Sequence, residues 1–360
     1  MFLLYSYSCG YCNDNHVYYQ IFGHMSRISV IFFGTSDFAV PALKKLAADS
    51  RYQIIEVVTQ PDKPAGRKQE LHSSPIKVEA EKLGLKILQP PRLSSPTREE
   101  EKESIFPPLD GEGSGGVDLF IVASYGKIIP KSVLDIPKHG TLNIHPSLLP
   151  KYRGPSPIQV AILNGDTETG VTIIKLDEEM DHGPIVAQRI LSVESGILYK
   201  TLHNRLAEAG ATLLLECLSD YISEKTKPTA QDHSKATFTK IITKDDGRIN
   251  WQDSVEEIDR QIRAYENWPV AWTTLDGKKL KIFDAAPYNP SQPPLSLRGG
   301  VPPLNLRGGE GELFLAGKDL IVHCARGNLE IKKLQLEGAK KITAREFANG
   351  YKNLLGKVMQ

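Results

Sequence analysis

Ser29-Val30-Ile31-Phe32-Phe33-Gly34-Thr35-Ser36-Asp37-Phe38-Ala39-Val40-Pro41 is the stretch whose reading settles the architecture. Ser29–Phe33 is a short apolar, β-rich run of the kind buried on both faces in a parallel sheet. Gly34 ends it, and Thr35-Ser36-Asp37 offers side-chain N-caps to a helix over Phe38–Leu46. Pro41 falls in the first turn of that helix, where a missing N–H costs little. Outward from this strand–turn–helix unit, strands are expected at Ile54–Thr59, Lys86–Gln89, Asp118–Ala123, Gly140–Ile144, Gly170–Leu176 and Ile185–Val193. Helical patterns lie between them at Pro75–Leu83, Pro157–Leu163 and Leu198–Ile222. Alternating strands and helices predict a doubly wound α/β domain.

From Ser223 to Lys244 the chain is polar and lysine-bearing without an apolar period, which predicts an interdomain linker. One helix (Val255–Tyr265) and short strands at Trp272–Leu275, Leu280–Phe283, Leu313–Ala316, Leu320–Cys324 and Leu329–Leu336 follow, predicting a small β-barrel or sandwich. The expected organisation is a non-core extension over residues 1–25, a catalytic domain over 26–222, the linker over 223–244 and a second domain over 245–360. Seven aromatics without a period and the pair Cys9-Gly10-Tyr11-Cys12 mark the extension, and that pair lacks the neighbours of a redox or zinc site. Two Pro/Gly-dense surface insertions are expected. One is near residues 107–116, and the other, near 291–310, carries a Pro-Pro-Leu-x-Leu-Arg-Gly-Gly octapeptide at Pro293 and again at Pro302.

A chain of 360 residues is long enough for a core without disulfide or metal staples. With 44 Lys and Arg against 43 Asp and Glu and 40% hydrophobic residues, wholesale disorder and an all-over basic coat are excluded. The charge is nevertheless uneven. From Lys240 onward, 19 basic residues face 15 acidic ones, which points that part toward a polyanion. No run approaches the roughly 18 apolar residues of a membrane helix, no secretory pattern opens the chain, and four scattered cysteines suit a reducing compartment, so a cytoplasmic location is expected. The nine histidines and four cysteines show no ligand spacing, and no metal site is expected.

Gly34 alone follows the first strand, so neither a dinucleotide fingerprint nor a phosphate loop is present, and nicotinamide chemistry becomes a minor reading. The densest polar group is Asn143-Ile144-His145-Pro146-Ser147-Leu148-Leu149-Pro150, at the carboxyl end of a predicted strand, where open α/β sheets bind ligands. Alternation places Asn143 and His145 on one face, an amide donor beside an imidazole, suited to a developing oxyanion. The same pair could equally tie down neighbouring loops. Asp181, in Asp177-Glu178-Glu179-Met180-Asp181-His182-Gly183-Pro184, is set apart from its solvated neighbours by a Gly-Pro turn able to aim it at His145. Without an activated Ser or Cys, the set suggests direct transfer between bound partners; Ser147 is the alternative nucleophile, though no nucleophile elbow surrounds it. Lys63, Arg67 and Lys68, in a Pro/Gly-interrupted loop, are either phosphate contacts or solvated surface.

From Ser26 onward these residues resemble the methionyl-tRNA formyltransferase family. The resemblance rests on Phe33–Ala39, Thr59–Arg67, Asn143–Pro150 with Tyr152-Arg153-Gly154, Gly170-Val171-Thr172 and Asp181–Pro184. The Asn-x-His…Asp set belongs to the wider folate-dependent superfamily, while the basic loop and C-terminal domain narrow it to the tRNA enzymes. The resemblance implies a Rossmann-like doubly wound formyltransferase domain, an OB-like C-terminal barrel, and formyl transfer from 10-formyltetrahydrofolate to methionyl initiator tRNA. It implies Asn143, His145 and Asp181 as catalytic, with Asp181 taking the amine proton together with an ordered water. Ser147, Leu148, Leu149 and Pro150 are implied as folate contacts, with backbone near Ala123–Ile128 at the pterin, and Lys63, Arg67 and Lys68 as acceptor-stem contacts. A monomer is expected. The extension, both insertions and Ile241, where a lysine is expected, depart from the family pattern. Two other readings remain: a formyltransferase for a small amine such as a nucleotide-linked amino sugar, and a non-catalytic RNA-binding protein on the same fold.

Overall fold

The computed structural model describes residues 27–65, 70–90, 116–288 and 310–360. The N-terminal extension with Cys9 and Cys12, Arg67, Lys68, nearly all of the first insertion and the octapeptide repeat lie outside the described residues.

Strand β1 (Ile28–Gly34) is buried from Val30 onward, as its unbroken apolar run predicts. Its residues alternate between two cores. Val30 and Phe32 face one with Leu119 and Ile121, while Ile31 and Phe33 face the other with Phe120 and Val122. A strand buried on both faces has no polar side to show, which explains its sequence. After it come α1 (Val40–Ala48), β2 (Tyr52–Val58), the hairpin β3 (Lys63–Ala65) and β4 (Glu70–His72), α2 (Pro75–Lys82) and β5 (Ile87–Leu88). The domain continues through β6 (Leu119–Ala123), α3 (Lys131–Leu134), β7 (Thr141–His145), α4 (Pro157–Asn164), β8 (Glu168–Lys175), β9 (Ile185–Ser192) and α5 (Tyr199–Ile222).

The seven-stranded sheet runs β5-β2-β1-β6-β7-β8-β9, parallel as far as β7 and antiparallel across β8 and β9. Helix α5 crosses behind β7 at close range: a Cβ on Gly210 would lie 2.6 Å from Ile144 Cγ2. That contact holds the strand carrying Asn143 and His145 against the longest helix described.

The expected capping at Thr35-Ser36-Asp37 is not what forms. A 3-10 turn over Asp37–Ala39 precedes α1, and neither start has a side-chain cap. The hydroxyls bond instead to the loop after β6: Thr35 Oγ1 donates to Tyr125 O at 2.9 Å, and the Ser36 hydroxyl bonds Ser124 Oγ at 2.7 Å.

The second domain contains α6 (Val255–Ala264), β10 (Ala271–Leu275), β11 (Lys278–Pro287), β12 (Leu313–Ala316), β13 (Asp319–His323), β14 (Asn328–Leu336), β15 (Ile342–Thr343) and α7 (Ala344–Gly350). Its antiparallel sheet runs β10-β11-β14-β13-β12, with β15 on β14. The last residues join the two edges. Gln360 and Thr274 of β10 exchange backbone bonds of 2.8 and 2.9 Å, and Leu313 of β12 donates to Lys357 O at 3.0 Å. The sheet thereby closes on itself, which removes the exposed edges a small sheet would otherwise present. Among the described residues, no helix is long and apolar enough to cross a membrane.

Candidate active site

β7 ends on His145, beside the end of β6, so both strands deliver their carboxyl ends to one rim of the sheet. Asn143 sits between Val122 and Ile174, half-buried, with no side-chain hydrogen bond among the described residues. His145 is 4% exposed. Its Nε2 lies 2.9 Å from Tyr152 O, and because a carbonyl only accepts, Nε2 carries the hydrogen. Nδ1 lies 3.4 Å from Asp181 Oδ1, a charge contact too long for a strong hydrogen bond. The other carboxylate oxygen, Oδ2, accepts Gly154 N–H at 2.8 Å.

Asp181 therefore does point back at His145, and its backbone explains how. It has φ +50, a left-handed conformation that Asp tolerates better than most residues. Two residues on, a Cβ on Gly183 would come within 1.9 Å of Lys175 O, so only glycine lets the loop fold against β8.

Thr172 of β8 holds the loop after β7. Its hydroxyl donates to Ser147 O at 2.6 Å and accepts from Leu149 N at 3.1 Å and Gln188 Nε2 at 3.0 Å. Ser147 is fully buried, with its hydroxyl donated to Lys151 O at 2.6 Å. The alternative reading of Ser147 as a nucleophile is thereby corrected, because the oxygen is inaccessible and committed. Of the four residues expected at a folate, Ser147 and Leu149 are buried, while Leu148 and Pro150 retain exposed surface. Lys63 is exposed on the β3–β4 hairpin, with Nζ donating to Gln60 Oε1 at 2.7 Å. Gln60 Nε2 also donates to Tyr125 O at 2.8 Å, joining that hairpin to the loop after β6. In the same loop the Tyr125 hydroxyl is buried without a partner among the described residues, and burial pushes its pKa up to about 12.

Two residues to which the sequence pattern assigned no role, Arg153 and Gln231, complete the rim. Arg153, 4% exposed, exchanges backbone bonds with the linker, donating to Thr237 O at 2.8 Å and accepting from Thr239 N at 2.7 Å. Its guanidinium donates to Gln231 Oε1. Nothing in the local pattern around Gln231 signals this, and the partners are 78 residues apart. The described cysteines play no part: Cys217 and Cys324 are buried, and desolvation raises both thiols to about 12. Among the described residues, no group of three or more His, Cys, Asp or Glu could hold a metal. What remains is an amide, an imidazole and a carboxylate at a sheet rim, a set suited to moving an acyl group directly between two bound molecules.

Residues 26–218 match the formyl transferase family, and residues 241–352 match the formyl transferase C-terminal domain, so fold and site together define a formyltransferase. Among curated relatives, the methionyl-tRNA formyltransferase of Roseiflexus castenholzii is 45% identical over 258 residues, covering 72% of this chain and 79% of the relative. That of Geobacter metallireducens is 37% identical over 327 residues, covering 91% and 96%. The chain belongs to the methionyl-tRNA formyltransferase family. Solved structures share the fold. HypX from Aquifex aeolicus in complex with tetrahydrofolic acid superposes with a TM-score of 0.56 at 18% identity, over 91% of this chain and 48% of HypX. An N-formyltransferase from Helicobacter canadensis, in complex with folinic acid and dTDP-3-aminofucose, gives 0.57 at 18% identity, over 88% and 100%.

Proposed function

We propose that the protein transfers the formyl group of 10-formyltetrahydrofolate to the amino group of methionyl initiator tRNA, giving the formylated initiator used to begin translation. The observation that carries this is the His145–Asp181 contact at 3.4 Å beside the Asn143 amide, unpaired among the described residues, in a chain of this family. The residues present suit a folate. Among the described residues, the rim offers an amide without a partner at Asn143, exposed apolar surface at Ile128, and the buried, unpartnered Tyr125 hydroxyl. A flat heterocycle with polar edges matches such a mixture of apolar wall and sparse polar groups. The folate, when bound, supplies a formyl group on a nitrogen that can leave as an amine.

In this reading the residues divide the chemistry as follows. The methionyl amine, neutral when it attacks, forms the new C–N bond, and negative charge develops on the formyl oxygen. The Asn143 amide donates to that oxygen, as does His145 Nδ1. Since Nε2 already donates to Tyr152, Nδ1 can donate only from the protonated ring. Asp181 faces that ring and takes the proton released by the amine. The bond to the folate nitrogen then breaks, and that nitrogen regains one proton, so the transfer is proton-neutral overall.

The test is formyl incorporation into charged initiator tRNA with the purified protein and 10-formyltetrahydrofolate, using elongator methionyl-tRNA and His145→Ala as controls. Transfer to the initiator that is lost in the variant supports the proposal. Transfer only to a nucleotide-linked amino sugar overturns it.

A further inference from the structure

We infer that the segment joining the two domains is part of the active site, and that Gln231 in it is a positioning residue for Asp181. This rests on the function proposed above. Gln231 is 5% exposed, far from the solvated state expected of a linker glutamine. Its Nε2 donates to Asp181 O at 2.8 Å and to Gly183 O at 2.7 Å. Its Oε1 accepts from Arg153 Nε at 3.2 Å and Nη2 at 2.7 Å. These bonds use both donors and both acceptor positions of the amide, so only one orientation is possible; a flipped amide would turn its oxygen onto two carbonyls.

The bonds fall on the loop that needs them. Asp181 stands at φ +50, a state that non-glycine backbone keeps only where its surroundings impose it. Gln231 grips the carbonyl of Asp181 and that of Gly183, on either side of His182, while Gly154 N–H grips the Asp181 carboxylate. Gly154 is itself set by Arg153, whose backbone is bonded to Thr237 and Thr239. The linker thus fixes both ends of the Asp181 side chain's placement, through its main chain and through the donor to its carboxylate. A stacked pair, His182 on His233 with ring centroids 4.1 Å apart, closes the strap over the loop, and His233 Nδ1 accepts from Arg153 Nη2 at 2.8 Å.

Arg153 has no carboxylate partner among the described residues, and this makes Gln231→Glu the informative change. The new carboxylate would pair with the buried guanidinium and keep the strap folded. It would also set an oxygen against the Asp181 and Gly183 carbonyls in place of two donors, so the Asp181 loop is displaced while the strap stays. A role confined to folding predicts full activity for this variant; a positioning role predicts loss.

The experiment uses the full chain as wild type, Gln231→Glu and Gln231→Ala, with two readouts. In steady-state formylation of methionyl-tRNA, both variants should lower kcat by about 100-fold while KM for the tRNA stays within about threefold, because geometry is lost and binding surface is not. In amide NMR of the ligand-free protein, the Gly154 N–H, which reports its bond to the Asp181 carboxylate, should move upfield and exchange faster in both. The inference is overturned if Gln231→Glu keeps kcat within about threefold of wild type, or if the Gly154 amide is unmoved in it. If the wild type transfers no formyl group to methionyl-tRNA, the proposed function fails, while the Gly154 signal still decides the positioning role. If Gln231→Ala does not fold, Gln231→Glu, with its ion pair to Arg153, decides alone.

Discussion

Asp181 carries the most geometry per atom in this site: one oxygen toward His145, the other on Gly154 N–H, and its main chain in the left-handed region. Asp181→Asn preserves the shape and removes the charge and the proton acceptor. Formylation kcat should fall by about 10²–10⁴-fold with little change in tRNA KM; an activity within tenfold of wild type would remove Asp181 from the proton path. Thr172 is the structural counterpart. Its buried hydroxyl bonds Ser147 O, Leu149 N and Gln188 together, so Thr172→Val strands these groups and should cost about 1–3 kcal/mol, read as a lower thermal midpoint. An unchanged midpoint would mean that water replaces the hydroxyl. The legibility of these residues differs for a physical reason. Asn143 and His145 could be paired from sequence because strand alternation is a local rule that the backbone enforces. Gln231 and Arg153 could not, because their contact depends on how the chain returns to the first domain after α5. Ser147 was misleading for a related reason: a serine two residues from a histidine at a strand end looks reactive until its burial is known.

At the scale of elements, every strand of the large sheet was readable: β1, β6 and β8 as apolar runs buried on both faces, and β9 as a β-rich run although it alternates between covered and exposed residues. What escaped were the β3–β4 hairpin, α3, β15, α7 and the closing tail, all of them too short to show a period of their own. The caps at Thr35 and Ser36 misled because their hydroxyls had a better partner in the loop after β6. The turn Asp245–Gly247, where the linker meets the second domain, shows charge organising an element. The Lys240 ammonium bonds the Asp246 carboxylate, and Thr243 N–H and Oγ1 donate to it at 2.7 and 2.8 Å. Chiefly the lysine, and then the threonine amide, hold the Asp246 pKa at about 2, below its ordinary 3.8. A carboxyl group depressed by folding stabilises the protein fully above its unfolded value. That contribution fades as pH falls from about 3.8 toward about 2. The gap in melting temperature between wild type and Asp246→Asn should therefore be steady above pH 5 and shrink toward pH 2. A gap that is the same at both ends would show that the carboxylate's charge is not what anchors the turn.

At the scale of the molecule, the linker and helix α6 pack against both domains. Domains joined by a polar linker move independently by default unless the shared surface is substantial. Here Ile242 of the linker, Ala264 at the end of α6 and Tyr265 just after it pack in the first domain's core, while Val255, Ile258 and Ile262 of α6 belong to the barrel's. Arg260 Nε donates to Leu163 O at 2.9 Å, Arg263 Nη1 to Ile197 O at 3.0 Å, and Glu266 accepts Lys200 N–H at 3.2 Å. The barrel is thus held at a set place relative to His145, which suits a substrate whose reacting amine lies at the end of a long polyanion. Calorimetry should show one cooperative unfolding transition for the full chain. Tyr265→Ala combined with Arg260→Ala removes a core ring and an interdomain bond, at a cost of about 3 kcal/mol or more for the ring alone. The double variant should unfold in two steps, with formylation of methionyl-tRNA impaired even before either domain melts. Two separated transitions already present in the wild type would show that the domains fold independently, and the placement of the tRNA would then have to come from the tRNA itself.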